Sequence, residues 1–439
     1  FYCIAHITTT VMRNVKRSDL EVTNLFAFWL FSSERDWFQV AEKRMANKVL
    51  FIIGEPKLRA RFAETSRMIL NHVNPYTGLA WKDDPVFVAV EYYNELGLGI
   101  EYAGRMEEAY PEDFRFLKRK WREFLNKKYA ALPKEKNPHS AAVLADPPLP
   151  VFWDRSQLRV DYDEFWYESL KETYRFCDKA MKDAGYTGLT LQCPMPALRC
   201  AAVSWESVQI VDAHGYHCHP DGGEQPGASV SQVSSIAEAA NVFRRRFGQH
   251  IYGRPFFFNE HNYCFRNPFQ YEKPVALDAY AALNDWDSLA IHSGAVALTN
   301  DKRASSFAVA NNPVLRAGEF LSSLFFLRRD VAPAKHNVAV ALSKNYVFRP
   351  GNSANALAPT QSRITLLTKA ASFAPSSTFP KSTFVAFATA AAVPEKLFVS
   401  AVTACVVFTI DSVKLSTALC AAFAACSRAF IGVASVPDS

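Results

Sequence analysis

No Cys-x-x-Cys pair occurs in this chain of 439 residues, although it holds nine cysteines. A zinc ribbon or a dithiol redox site needs thiolates held that close in sequence, so the scatter of these cysteines argues against both. An odd number leaves at least one thiol unpaired and does not fix the redox compartment. Long apolar runs are also lacking. The longest, residues 397–410, includes Ser400 and Thr403 and falls short of the ~20 residues that span a bilayer, so no membrane is expected as a partner. Blocks of lysine and arginine are missing too. The 49 basic and 43 acidic residues leave a net charge of +6 with no stripe that would track phosphates, so nucleic acid is not expected either. The first residues, from Phe1, show no charged, apolar and small-residue sequence of a secretory leader.

What the chain does have is a composition for burial: 49% hydrophobic and 21% charged residues, with 34 phenylalanines. Such a balance excludes a disordered or fibrous chain. The length fits two to three domains, or one α/β barrel of roughly 250 residues with an appendage.

Short apolar segments alternate with helical ones. Residues 5–16 read as helical and 22–31 as a buried strand, followed by a long loop with Trp37 and Phe38. Residues 56–73 carry Leu58, Phe62, Ile69 and Val73 on one helical face, stopped by Asn74-Pro75-Tyr76-Thr77-Gly78. The almost unbroken apolar run 86–93 suits a strand covered on both faces. Residues 114–129 and 162–182 read as helices, the second with Trp166, Leu170, Cys177 and Met181 on one stripe. Further strands are expected at 188–192, 208–214, 255–260 and 288–297, with helices at 231–247, 271–285 and 313–327. This alternation is the signature of parallel βαβ units. Residues 337–347 alternate like a half-exposed strand and open a small β-rich C-terminal domain. The low-charge segment 372–439 has a biased composition and no legible fold. The expected domains are 1–305, 306–371 and 372–439.

Two carboxylates stand where α/β strands end and sites form: Glu95 after 86–93, and Glu260 after Phe256-Phe257-Phe258-Asn259. Acid-base or nucleophilic hydrolysis needs such a pair, because burial beside a second carboxylate drives the two pKa values apart. Either glutamate alone could be a solvated loop residue or a helix cap. His214 and Tyr216 follow the strand between them, as His214-Gly215-Tyr216. His214 could equally be a satisfied strand-end histidine, and Tyr216 a loop anchor. His214, His217 and His219, with Asp212 and Asp221, raise a metal site; ligands need convergent geometry, so no metal or other cofactor is expected. Cys218 and Cys264 read as buried apolar residues rather than nucleophiles. Trp81, Tyr93, Phe265 and Trp286 are candidate stacking platforms for a sugar ring, or else core packing.

The ordered set Asn94-Glu95, His214-Gly215-Tyr216 and Asn259-Glu260-His261-Asn262-Tyr263-Cys264 resembles the clan A glycoside hydrolases. The nearest pattern is the cellulase-like family 5, over about residues 20–345. The resemblance implies a (β/α)8 barrel and a retaining mechanism on a poly- or oligosaccharide. It makes Glu95 the acid/base, Glu260 the nucleophile, and Asn94, His214, Tyr216, Trp81, Asn262 and Trp286 substrate-binding residues. A secreted or extracellular location is implied by the family, and the oligomeric state is left open. Two departures stand out. The clan usually places an aromatic residue at the end of the eighth strand, where Ala290-Ile291-His292-Ser293 has none. If 22–31 is the third strand, the first two strands lie outside this chain, with an arginine that supports the nucleophile; Arg13 and Arg17 do not replace it. A catalytically silent barrel serving carbohydrate binding or a structural role is the alternative.

Overall fold

The computed structural model describes residues 3–6, 41–151, 153–192, 208–222, 227–246, 248–292, 306–341, 348, 361–373 and 384–387. Six strands form one parallel sheet in sequence order: β1 (Cys3–His6), β2 (Phe87–Glu91), β3 (Leu189–Gln192), β4 (Ile210–His217), β5 (Phe256–Tyr263) and β6 (Ser288–Ile291). A doubly wound sheet would reverse its order at some point. Here each strand is added beside the last, and right-handed crossovers then keep every helix on one side. That is the arrangement of six consecutive units of a (β/α)8 barrel.

The first strand is a correction. It is Cys3–His6, overlapping the start of the helix expected at 5–16, that pairs with β2 through Ala5↔Val90 and His6↔Glu91. Residues 22–31, expected as the strand here, lie outside the described residues, as do Trp37, Phe38, Arg13 and Arg17. The expected loop that follows contains a helix, α1 (Ala41–Ile52). Its run from Ala46 to Ile53 is buried, and Lys48 is buried within it.

Other elements follow local rules. α2 (Pro56–Leu70) starts on proline, with the Glu55 carboxylate accepting from the Leu58 N–H at 2.7 Å, and so gains an N-terminal cap. Its expected stop is a turn closed by Gly78 N–H to Asn74 O at 2.8 Å, with Gly78 at φ +70°, a conformation glycine adopts without strain. α3 (Leu98–Tyr102) and α4 (Pro111–Tyr129) follow β2. In α5 (Gln157–Asp183), capped by Ser156, the stripe of Trp166, Leu170, Cys177 and Met181 is buried as expected. Of the helix expected at 231–247, only Asn241–Arg244 forms. The Glu272 carboxylate accepts from Ser234 Oγ and Ile236 N, and Ala239 and Ala240 take positive φ, so the segment folds as turns. α6 (Ala279–Leu283) and α7 (Pro313–Ser322) complete the helices discussed.

β7 (Asn337–Ala341), β8 (Lys369–Phe373) and β9 (Phe384–Phe387) form a second parallel sheet in the order β8-β7-β9. Ser372 binds the barrel at His250 O and Tyr252 N. The segment 397–410 lies outside the described residues, and no described helix is long and apolar enough to cross a membrane.

The barrel interior is layered. Ala89, Leu191, Ile210 and Phe257 form one buried apolar cluster. Two residues further along their strands, Glu91 and Asp212 are also fully buried, on the same face by the two-residue period of a strand. On the other face of β5, His261 stacks on Phe258 with centroids 5.3 Å apart. Burial, and then the charge of Lys273, hold its imidazole well below its ordinary value of 6.5.

A histidine held neutral in this way contributes stability that is complete above its unfolded pKa and is lost as pH falls below it. Acidification below about pH 6.5 should therefore cost about 1.4 kcal/mol per pH unit from this group. His261→Phe, which keeps a ring on Phe258, should flatten that dependence in denaturant titrations at pH 7 and pH 5. An unchanged slope would remove His261 as its source.

Candidate active site

β4 and β5 carry most of the site inside the strands. Both run past their expected ends, so His214, Tyr216 and Glu260 are held by ladder bonds rather than by loops. Along the β4–β5 pair, Asp212 faces Phe257 but His214 faces Glu260: β5 advances three residues while β4 advances two. The same extra residue lies between Phe258 and His261 against β6. Strict alternation from the inward-facing Phe257 would turn Glu260 outward. The bulge re-aims it into the barrel, a common use of an extra residue in a strand.

Glu95 lies four residues beyond β2, in a turn where its own φ is +49°. A non-glycine residue in that region costs of order 1–2 kcal/mol, so the turn needs support. Lys48, 6% exposed on α1, donates from Nζ to the carbonyls of Asn94 at 2.8 Å and Glu95 at 2.7 Å.

His214, with no exposed side-chain surface, joins the two carboxylates. Its Nδ1 donates to Glu95 Oε1 at 2.9 Å and lies 3.4 Å from Glu260 Oε2. Its Nε2 is 3.6 Å from Asp212 Oδ2. One carboxylate oxygen from Glu95, one from Glu260 and a His214 nitrogen all lie within 4.8 Å of one another. The glutamate side chains are 21% and 9% exposed, so both can be reached from solvent. Burial pushes the Glu95 carboxyl up, but the His214 hydrogen bond and the charges of His214, Lys48 and His219 outweigh it and hold it below the usual carboxylate range.

Tyr216 donates its hydroxyl to Glu260 Oε2 at 2.7 Å. Burial first, and then the Glu260 charge, raise the Tyr216 pKa far above its ordinary value, so the phenol remains a donor. A neutral hydrogen bond to a carboxylate contributes about 1.5–3 kcal/mol. If Glu260 reacts, Tyr216→Phe should lower kcat by about 10- to 100-fold, with the fold unchanged by circular dichroism. Wild-type kcat would show that this bond does not act on the reaction.

Four rings cluster at Tyr216, and two of them, Tyr216 and His292, reach Glu260. Tyr216 meets His219, His292 and Phe307 edge to face at 5.2, 5.8 and 5.4 Å. Phe307 also contacts His219 and His292, and His292 Nδ1 is 3.8 Å from Glu260 Oε2. Asn262 does not face this space. It is fully buried and its amide donates to the carbonyls of His292 and Phe307, at 2.9 and 3.1 Å, tying the end of β6 to the segment after it.

Two other expected contacts are corrected. Trp81 packs on His72 and Phe87, at the start of β2. Trp286, just before β6, is buried among Phe243, Phe256 and Phe258. Both precede a parallel strand and so lie at the end opposite Glu95 and Glu260. Tyr93 packs against Phe51 of α1, and no ring contact involving Phe265 is among the described ones.

The histidine trio does not converge. His217 is buried, donating from Nε2 to Val233 O and packing on Tyr263, and His219 Nδ1 donates to Pro220 O. A different trio, Glu91, Asp212 and His214, is brought within 4.8 Å beneath the carboxylate pair. The sign of Glu91 in the sequence was one acid inside an otherwise apolar strand. Cys264 is buried, as expected, but Cys218 is only half-buried, at φ +57°. Burial raises its thiol pKa, and Asn267 Nδ2 donates to its sulfur at 3.1 Å, so it is not poised as a nucleophile.

A six-unit parallel barrel with two glutamates at its open end is an α/β scaffold with an acid pair. No protein-family model matches the chain, and no curated protein sequence matches it. Among solved structures it is similar to a β-galactosidase from Rahnella sp. R3 at 11% identity, covering 73% of this chain and 48% of that one, with a TM-score of 0.48. A β-galactosidase from Bacillus circulans sp. alkalophilus matches at 14% identity, over 73% and 49% of the two chains, with a TM-score of 0.42. An endo-1,4-β-D-mannanase from Thermotoga petrophila matches at 12%, over 66% and 71%, with a TM-score of 0.36. The chain spans about half the length of the two β-galactosidases. At this level of likeness, residue roles rest on the geometry of this site alone.

Proposed function

We propose that this chain is a retaining β-glycoside hydrolase acting on a poly- or oligosaccharide. The observation that carries the reading is the approach of Glu95 and Glu260 to within 4.8 Å, oxygen to oxygen, with His214 between them. Retaining enzymes hold their carboxyl groups about 5–5.5 Å apart, whereas inverting ones leave roughly 6.5–9.5 Å for a water. The close approach of this pair favours the retaining arrangement, in which the second carboxylate attacks directly.

Glu260 forms a bond from its carboxylate oxygen to the anomeric carbon as the glycosidic C–O bond breaks, and Glu95 gives its proton to the departing oxygen. Water then adds to the anomeric carbon, its proton returning to Glu95, and Glu260 is released as a carboxylate. Tyr216 orients Glu260 and stabilises its charge. In the resting site the Glu95 carboxyl is held below the usual carboxylate range, with His214 Nδ1 at 2.9 Å from it. A sugar that displaces water from Glu95 favours the neutral acid, which takes up its proton from solvent as the substrate binds. Asn94 remains a candidate hydroxyl contact, while His214, fully buried, acts through the two carboxylates it joins. The rings of Tyr216, His219, His292 and Phe307 offer apolar faces and polar edges to a pyranose beside Glu260.

Reducing ends released from a panel of β-linked glucans, mannans, galactans and agarose test the reading. Hydrolysis of at least one is expected. Binding to a glycan with no turnover on any of the panel would favour a carbohydrate-binding barrel instead.

A further inference from the structure

The geometry points to Lys48 as a positioning residue for Glu95: its ammonium pins the turn that aims the carboxyl group at the glycosidic oxygen. This inference rests on the hydrolase reading for its kinetic consequence, but its structural part does not.

Three independent observations converge on Lys48. First, its Nζ donates to two consecutive carbonyls, Asn94 O and Glu95 O, at 2.8 and 2.7 Å. Two carbonyls that point the same way within one turn repel each other, and a shared ammonium between them offsets that repulsion. Second, the residue held is the one with the strained backbone, Glu95 at φ +49°. Strain of this size persists only where surrounding contacts over-determine it. Third, α1 and α3 approach closely enough that a Cβ on Gly99 would lie 2.6 Å from Lys48 Cβ and 2.9 Å from the Val49 nitrogen. Glycine at 99 lets the helix following Glu95 sit directly on the lysine stem, fixing Lys48 from one side while its ammonium fixes Glu95 from the other.

The cost of this placement also bears on its role. An ammonium on a buried helix face within an apolar run is expensive unless it is paired. A helix that needed only packing would carry an aliphatic residue there. Lys48 adds a charge that acts on Glu95 through space as well as through the turn, in the direction that holds the carboxyl below its usual range. A well-placed general acid depends steeply on position: an error of 1 Å can cost about 100-fold.

The test compares the full-length wild type with Lys48→Met, which keeps the stem and removes the charge, and Lys48→Arg, which keeps the charge but moves the donors. The Glu95 carboxyl is titrated by carbon-13 NMR, and kcat/KM is measured on the glycan cleaved among β-linked glucans, mannans, galactans and agarose and on a dinitrophenyl β-glycoside, whose leaving group needs no proton. Lys48→Met should titrate at higher pH than the wild type. It should lose about 10-fold or more on the glycan and less than about 3-fold on the activated substrate. Lys48→Arg should titrate close to the wild type yet still lose rate on the glycan. An unchanged titration in Lys48→Met, or equal losses on both substrates, would reduce Lys48 to a packing residue. Should Lys48→Met fail to fold, Lys48→Arg decides: full activity on the glycan overturns the inference. If the wild type hydrolyses nothing, the hydrolase reading falls, and the Lys48→Met titration still decides whether Lys48 governs Glu95.

Discussion

Glu260→Ala is expected to lower kcat/KM on a cleaved β-glycan by about 10⁴-fold or more, equivalent to about 5.5 kcal/mol of transition-state stabilisation. Glu260 is the carboxylate that the β5 bulge turns inward, that Tyr216 holds at 2.7 Å and that His214 approaches at 3.4 Å. In the proposed mechanism its removal deletes the bond to the anomeric carbon, and no other described acid is placed to replace it. Asp212 is fully buried beneath the pair, and the proposed mechanism gives Glu95 the opposite role. The truncated side chain leaves a space in which azide can act as an external nucleophile. With an activated aryl β-glycoside, azide should restore turnover and yield the α-glycosyl azide, because a single displacement inverts the anomeric carbon. Hydrolysis within a few fold of the wild type would remove Glu260 from the reaction.

Glu95→Ala should show the second large effect, and its size should depend on the leaving group. Glycans whose leaving sugar must be protonated should slow by about 10²- to 10⁴-fold, the usual worth of a placed general acid. A dinitrophenyl glycoside should still glycosylate Glu260, because its leaving group departs as an anion. Release of the second sugar would then become slow, since no base remains to take the proton from water. A burst of dinitrophenolate followed by a slow steady state is the expected trace. Equal losses on both substrates, with no burst, would mean that Glu95 holds the site together without transferring a proton.

The parts of this site that could be read from the sequence are those carried by strands. Short, mostly apolar runs located β2, β4 and β5, and the acids and His214-Gly215-Tyr216 at their ends were visible because polar residues are few there. Direction along the strand decided the errors. Trp81 and Trp286 precede their strands and Glu95 and Glu260 do not, and a parallel sheet sends those two positions to opposite ends. Composition favours tryptophan as a sugar platform but carries no such polarity. The bulge in β5 was not legible, since one extra residue leaves no mark on an apolar pattern.

Contacts between distant segments were the least accessible. Phe307 reaches Tyr216 from a segment beyond β6, so the absence of an aromatic residue at the end of that strand did not mean the absence of one beside Glu260. Lys48 had a faint sign, a single charge within the run 46–53, but its target lies in another element and its role follows only from the turn it meets. The four-residue strand at Cys3–His6 was too short to stand out where it runs into the segment of helical character that begins at residue 5.

The configuration of the first product tests the two-carboxylate mechanism most directly. Proton NMR of the anomeric region, recorded in the first minutes of hydrolysis before mutarotation, distinguishes the anomers. The β-anomer is expected first, because two successive displacements at Glu260 restore the starting configuration. The α-anomer appearing first would require a single displacement by water, and would contradict a nucleophilic Glu260.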